Sequence, residues 1–230
     1  MSPGRKRPSV LALVAAHDEE ATIARTVKAL AGLGPVGGVV VLADGCTDAT
    51  ADEAAAAGAR VWVAPRRMGK GGAIESSLER VGPADVYLLV DGDVGDTASE
   101  VEALMRAVVE DRLDLAIGRL PPQAGGGFGL VKSLSRSAVR GLTGFEPAEP
   151  LSGQRAVRRD VLEACRPLAG GFGLETAMTI DAVRLGFRVG EVPVDMTHRA
   201  TGRSLAGFLH RARQGADILW AVVPRALRLR

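Results

Sequence analysis

The chain has 230 residues, with 29 Lys and Arg against 27 Asp and Glu, a formal net charge of +2 that gives no basis for a nucleic-acid partner. Apolar residues make up 47% of it, enough for one α/β domain with a full core. Its two cysteines, Cys46 and Cys165, lack CxxC spacing, which argues against a disulfide framework or a cysteine metal site and fits a reducing cytoplasm.

Residues 1–9 carry Arg5, Lys6 and Arg7 and read as a flexible basic tail. The apolar run after them is too short for a signal peptide and meets Asp18, Glu19 and Glu20 directly. No run approaches the ~20 apolar residues of a membrane-spanning helix. Strands are expected at 10–16, 39–43, 60–63, 86–90 and 113–117, and helices at 20–30, 47–57, 71–81 and 98–109. That alternation predicts a mostly parallel, doubly wound sheet with helices on both faces, whose ligands collect at the carboxyl ends of the strands. Thr47 or Asp48 is a candidate cap for the second helix, and residues 97–100, TASE, make an acidic start for the fourth.

The stretch RLPPQAGGGFG, 119–129, reads as a loop within the same domain. After it come a helix at 130–142, a strand at 153–157, a helix at 173–185 and a strand at 188–196. The last helix places Leu205, Phe208, Leu209, Ala212, Ala216, Leu219 and Val223 on one apolar stripe.

Each of the first four strands runs into polar residues: AAHDEEAT, ADGCTDAT, PRRMGKGGAI and DGDVGD. In a doubly wound sheet these tips converge. The fourth crowds Asp91, Asp93 and Asp96 at the end of a buried strand, where like charges repel and burial adds to the cost. A sodium ion or a surface lysine would relieve that cost, and so would a catalytic divalent cation. The MGKGGAI loop lacks GxxxxGK[ST], which disfavours a P-loop ATPase. Its glycines still let the backbone approach an anion, with Lys70 beside it.

The ordered set VLALVAAHDEEATI, VVVLADGCTDAT, MGKGGAI and VYLLVDGDVGD resembles glycosyltransferase family 2, whose members have the GT-A fold. In the second half, PLSGQRAVRRDVL, GFGLETAMTIDAVRLGFRVGEVPV and THRATGRS resemble the dolichyl-phosphate mannose synthase-like and glucosyl-3-phosphoglycerate synthase-like subgroups. The likeness runs from about residue 10 to 215 and divides the chain into a nucleotide-sugar-binding half, 10–118, and an acceptor-binding half, 119–230, within one compact domain.

The resemblance implies a metal-dependent transfer of sugar from a nucleotide diphosphate donor, UDP favoured over GDP. Asp91 and Asp93 would hold Mg²⁺ or Mn²⁺ against the diphosphate, with His198 as a further ligand. Donor contacts would come from Ala15, His17, Glu19, Asp44, Lys70, Asp91, Gly92 and Asp93. The acceptor, a polyprenyl phosphate or a small phosphorylated metabolite, would meet Gly127, Lys132, Ser152, Gly153, Glu175 and Arg199. Glu175 and Asp93 are the catalytic candidates, Glu175 as general base or as the group that positions a sugar hydroxyl. Asp181 does not share a helical face with Glu175 and is expected to be structural. Ala43 and Ala15 depart from the family pattern, standing where an aspartate and a proline are usual. The arginine-flanked terminal stripe suits peripheral contact with the inner face of an anionic membrane, or else docking on the core. A haloacid dehalogenase-like phosphatase, a nucleotidyltransferase of related fold and an inactive transferase-like binding protein are the competing readings.

Overall fold

The structure is a computed structural model describing residues 7–121, 129–196 and 205–227, with the backbone alone over 205–214. Gly127, His198 and Arg199, expected in the site, lie outside the described residues. Two apolar runs form the centre: β1 (Val10–Ala16) and β4 (Val86–Asp91), side by side and parallel. Nearly all of their residues are buried, as strands covered on both faces must be. Around them the order is β3 (Arg60–Val63), β2 (Val36–Ala43), β1, β4, β6 (Arg155–Arg158), β5 (Leu115–Arg119), β7 (Val189–Pro193). Only β6 runs antiparallel to its neighbours, β4 and β5.

Side chains alternate between the two faces of the sheet. On one, Val14, Val41 and Val90 pack with α1 (Ile23–Ala31), α2 (Thr50–Ala56) and α4 (Val101–Val109). On the other, Leu13, Leu42 and Leu89 pack with α3 (Gly69–Val81), α6 (Arg159–Ala164) and α7 (Leu174–Arg184). Helices on both faces of a mostly parallel sheet are the expected architecture. Two further helices, α5 (Gly129–Thr143) and α8 (Leu205–Ala226), complete the second half.

Helix starts shift where side chains capture backbone donors. The second helix begins at Thr50, not 47. Asp18 takes the Thr47 N–H at 2.7 Å and Asp48 takes the Thr50 N–H at 3.0 Å, so 47–49 stay in a turn. The fourth begins at Val101, not 98, because residues Gly92–Glu100 wind as a 3₁₀ segment interrupted at Gly95, φ +55°. Short α6 was not expected from periodicity.

The terminal helix corrects the sequence reading more sharply. Ile218, Ala221 and Arg225 face the core, while Leu219 and Val223 of the expected stripe are exposed, with Trp220 and Leu227 beside them. The cause is an ion pair: buried Arg225 donates to Asp181 (Nε–Oδ1 2.7 Å). Leaving that guanidinium unpaired in the interior would cost more than exposing aliphatic carbons, so it sets the rotation of the helix. Asp181 is therefore structural, as its position on α7 predicted.

Asp114 joins three strands. It accepts from the Arg188 N–H (2.8 Å) and Nε (3.0 Å) and from Arg158 Nη1 (2.8 Å). The Arg188 bonds hold its carboxyl at about 2, well below its ordinary 3.8. Because the folded value is the lower one, this stabilisation is complete above 3.8 and is lost as pH falls through about 2. Urea midpoints measured down to pH ~2 should show a loss on the order of 1–2 kcal/mol. Asp114→Asn should be destabilised at neutral pH and flatter across that window.

Candidate active site

Strand register aligns the tips: Ala15 lies beside Asp91 across β1 and β4, and Ala16 beside Ala43 across β1 and β2. Asp91 ends β4, where its carboxylate is gripped from two sides. Oδ1 accepts from Lys70 Nζ at 2.5 Å, and Oδ2 accepts from Gln154 Nε2 at 2.7 Å. Gln154 closes the pair by accepting the Asp91 N–H at 3.2 Å. Lys70, in the first turn of α3, also donates to the Gly153 carbonyl (2.9 Å) and lies 3.5 Å from Glu175 Oε1. Glu175 is buried in the first turn of α7. Arg155, fully buried, donates to the Ser152 carbonyl (3.0 Å) and Thr179 Oγ1 (3.1 Å).

The result is two cations beside two carboxylates, with Arg155, Lys70 and Glu175 withdrawn from water and the Asp91 side chain partly exposed, an arrangement in which opposite charges offset the cost of burial. Burial pushes the Lys70 ammonium towards neutrality, but Asp91 and Glu175 outweigh it and its pKa rises. Burial pushes Glu175 up, against the pull of Lys70 and Arg155. Arg155 is brought down by burial to about 10 and stays charged at neutral pH.

Glycines make the cluster possible. A Cβ at Gly153 would run into the Asp91 carboxylate and the Lys70 ammonium. A Cβ at Gly71 would overlap the Ala169 carbonyl, so the Lys70 turn packs backbone to backbone on the segment before α7. Gly71→Ala should cost about 1–3 kcal/mol by overpacking, read as a lowered urea midpoint with unchanged m.

The crowded aspartates find part of their compensation in side chains: Lys70 for Asp91, and Arg25 for exposed Asp96 at 3.2 Å. Asp96 thus belongs to the surface. Asp91 uses two of roughly four acceptor positions on Lys70 and Gln154. The remaining lone pairs, with half-buried Asp93 two residues on, are hard oxygen donors of the kind Mg²⁺ and Mn²⁺ select. The donor set fits a divalent cation.

A second group forms at the tips of β1 and β2. His17 Nδ1 donates to the Asp44 carbonyl at 2.8 Å, since a carbonyl can only accept. Both Asp44 carboxylate oxygens take backbone donors, Met68 and Gly69 N–H at 2.6 Å each, and so tie β2 to the glycine loop. Glu19 opens the turn into α1, its N–H donated to Thr50 Oγ1 at 2.7 Å. The Gly92 carbonyl accepts from Thr22 (3.1 Å) and Thr26 (3.0 Å), which packs the Asp91–Asp93 turn on α1.

Lys70, Asp91, Gly153 and Glu175 of the expected residues therefore come together. Lys132 pairs instead with Glu149 at 2.5 Å. Ser152 is buried, and its Oγ has no hydrogen-bond partner among the described residues. Gln154 and Arg155 were missed. The signal was there in SGQRAVR: two large polar residues entering an apolar strand must find buried partners.

Fold and site together define a transferase of the nucleotide-diphospho-sugar type. The family model "Glycosyl transferase family 2" matches residues 12–165, and the chain belongs to that family. Glucosyl-3-phosphoglycerate synthase from Mycobacterium tuberculosis, solved with Mn²⁺, UDP-glucose and phosphoglyceric acid, is similar at 29% identity and TM-score 0.79. That match covers 94% of this chain and 80% of that one. A structure of the same synthase with Mg²⁺ and UDP matches at 28% identity and TM-score 0.79, covering 96% and 85%. Undecaprenyl-phosphate mannosyltransferase from Micrococcus luteus is 29% identical over 215 residues, 85% of this chain and 86% of that protein. The enzyme is a glycosyltransferase.

Proposed function

We propose that the chain transfers a sugar from a UDP-sugar to a hydroxyl of a small phosphate-bearing acceptor, with Mg²⁺ or Mn²⁺ held by Asp91 and Asp93. The carrying observation is the Lys70–Asp91–Glu175 cluster at the carboxyl end of the sheet, with Glu175 buried and Asp91 partly exposed. When bound, the divalent cation supplies Lewis-acid stabilisation to the departing diphosphate. Lys70 stations a permanent positive charge beside Asp91. Gln154 fixes the rotamer of Asp91, so that carboxylate is oriented before any ligand arrives. Glu175, its pKa raised by burial, is suited to accept a proton from an acceptor hydroxyl. Ser152 Oγ, buried and without a partner, is offered to the acceptor, because a bound hydroxyl or phosphate would satisfy it. His17 and Glu19 line the nucleoside side, while Asp44 shapes it through the loop it anchors. His198 and Arg199 keep their expected roles as metal ligand and phosphate contact.

A second reading rests on a different observation. Leu219, Trp220, Val223 and Leu227 form an exposed apolar face on α8, suited to an interfacial position on a membrane and hence to polyprenyl phosphate. No helix among the described residues is long and apolar enough to cross a membrane. One assay separates the two. Release of UDP from UDP-glucose with Mn²⁺ is followed with phosphoglycerate, or with polyprenyl phosphate in anionic vesicles. Stimulation by phosphoglycerate alone supports the first reading, and stimulation by the vesicles alone replaces it with the second. Phosphate release from a simple phosphomonoester, without UDP release, would overturn both in favour of a phosphatase.

A further inference from the structure

At the tips of β1 and β2, apart from the acidic turn after β4, His17, Asp18 and Cys46 bring ligand atoms within 4.8 Å of one another. The His17 ring is held in one tautomer: Nδ1–H donates to the Asp44 carbonyl at 2.8 Å, which turns Nε2 towards Asp18. Nε2 then lies 3.6 Å from Asp18 Oδ2, too far for a good hydrogen bond. The Asp18 carboxylate is fixed as well, its Oδ1 taking the Thr47 N–H at 2.7 Å. Two electron-rich atoms therefore face each other, and something positive, a proton or a metal ion, belongs between them. Cys46 Sγ adds a third donor atom. It closes the third side, half-buried, with only a weak 3.5 Å contact to the Ala16 carbonyl.

We propose that His17 Nε2, Asp18 Oδ2 and Cys46 Sγ form a binding site for Zn²⁺ or a similar borderline-soft divalent ion, with a fourth position open to solvent. Imidazole, carboxylate and thiolate are the donors such an ion prefers, whereas Mg²⁺ and Mn²⁺ prefer the all-oxygen pair Asp91 and Asp93. The Asp44 carbonyl serves as the outer-shell acceptor that orients a metal-bound histidine. On binding, a Zn–S bond replaces the Cys46 S–H bond, and the thiol proton passes to solvent.

Because His17 also lines the nucleoside side in the reading proposed above, zinc and the donor nucleotide compete. This consequence rests on that reading, whereas the site itself does not.

The test uses the full chain with excess Mg²⁺ to saturate oxygen sites. Co²⁺ serves as a spectroscopic probe and Zn²⁺ is titrated by calorimetry, both without nucleotide. The expected result is one equivalent of metal and a thiolate-to-cobalt charge-transfer band. In Cys46→Ser or Cys46→Ala the band should vanish and Zn²⁺ affinity should fall at least as far as the about 10- to 100-fold typical of losing an outer-shell partner. Absence of the band, or equal Zn²⁺ affinity in wild type and both variants, overturns the site. In a second arm, Zn²⁺ at about ten times its dissociation constant should weaken UDP binding about tenfold in wild type and leave Cys46→Ser unaffected. Metal binding without this competition would retain the site and overturn only its link to the nucleotide.

Discussion

Asp93→Ala should lower metal-stimulated release of UDP from UDP-glucose by about 10³-fold or more. Lewis-acid stabilisation of a leaving diphosphate is worth several kcal/mol, and about 4 kcal/mol corresponds to 10³ in rate. Asp91 is the less informative target. Removing the Asp91 carboxylate would also release Gln154 and leave Lys70 with Glu175 as its one remaining carboxylate, mixing loss of metal with disruption of the cluster. Asp93 is half-buried beyond the strand end. Retention of more than a tenth of wild-type activity at saturating Mn²⁺ would remove Asp93 from the reaction.

Glu175→Gln should reduce kcat by about 10²–10⁴-fold, the range for losing a positioned general base. The amide keeps the volume of the side chain, and Lys70 retains Asp91 as its partner at 2.5 Å. The pH profile carries the sharper information. A base must be ionised, and burial raises the Glu175 pKa above its ordinary value of 4.5. Wild-type activity should therefore fall with decreasing pH while still above 4.5, and the glutamine variant should lack that limb. Stability moves the other way. With the folded pKa above the unfolded one, ionising Glu175 costs folding energy as pH rises through the folded value, so the variant should not melt earlier at neutral pH. If kcat changes less than tenfold and only KM for the acceptor rises, Glu175 positions the acceptor, and the attacking group is already an anion such as a phosphate oxygen.

Much of this was readable from the sequence because it depends on short-range patterns. Uninterrupted apolar runs such as 86–90 can hardly be anything but covered strands, and polar residues directly after them fall at the ligand-binding edge of a parallel sheet. Lys70 and Asp91 were located this way, whereas Glu175 came from the resemblance to the family alone. What stayed hidden depends on pairing between distant segments. Nothing in SGQRAVR says that its strand runs antiparallel beside β4, yet that pairing is what delivers Gln154 to Asp91. Likewise, the apolar stripe of α8 does not mark its inward face, since Leu219 and Val223 are exposed. Polar contacts to distant segments, Arg225 with Asp181 and Asp217 with the Phe172 N–H, decide which face turns inward. Burial of an arginine on a helix that looks amphipathic in the usual sense is invisible without its partner.

The most direct test is calorimetric titration of UDP into the protein with excess Mn²⁺ and again after chelation. Tight binding that disappears with the metal, and is equally lost in Asp93→Ala, is the predicted result. The same affinity in both conditions would mean that no cation links these carboxylates to the diphosphate.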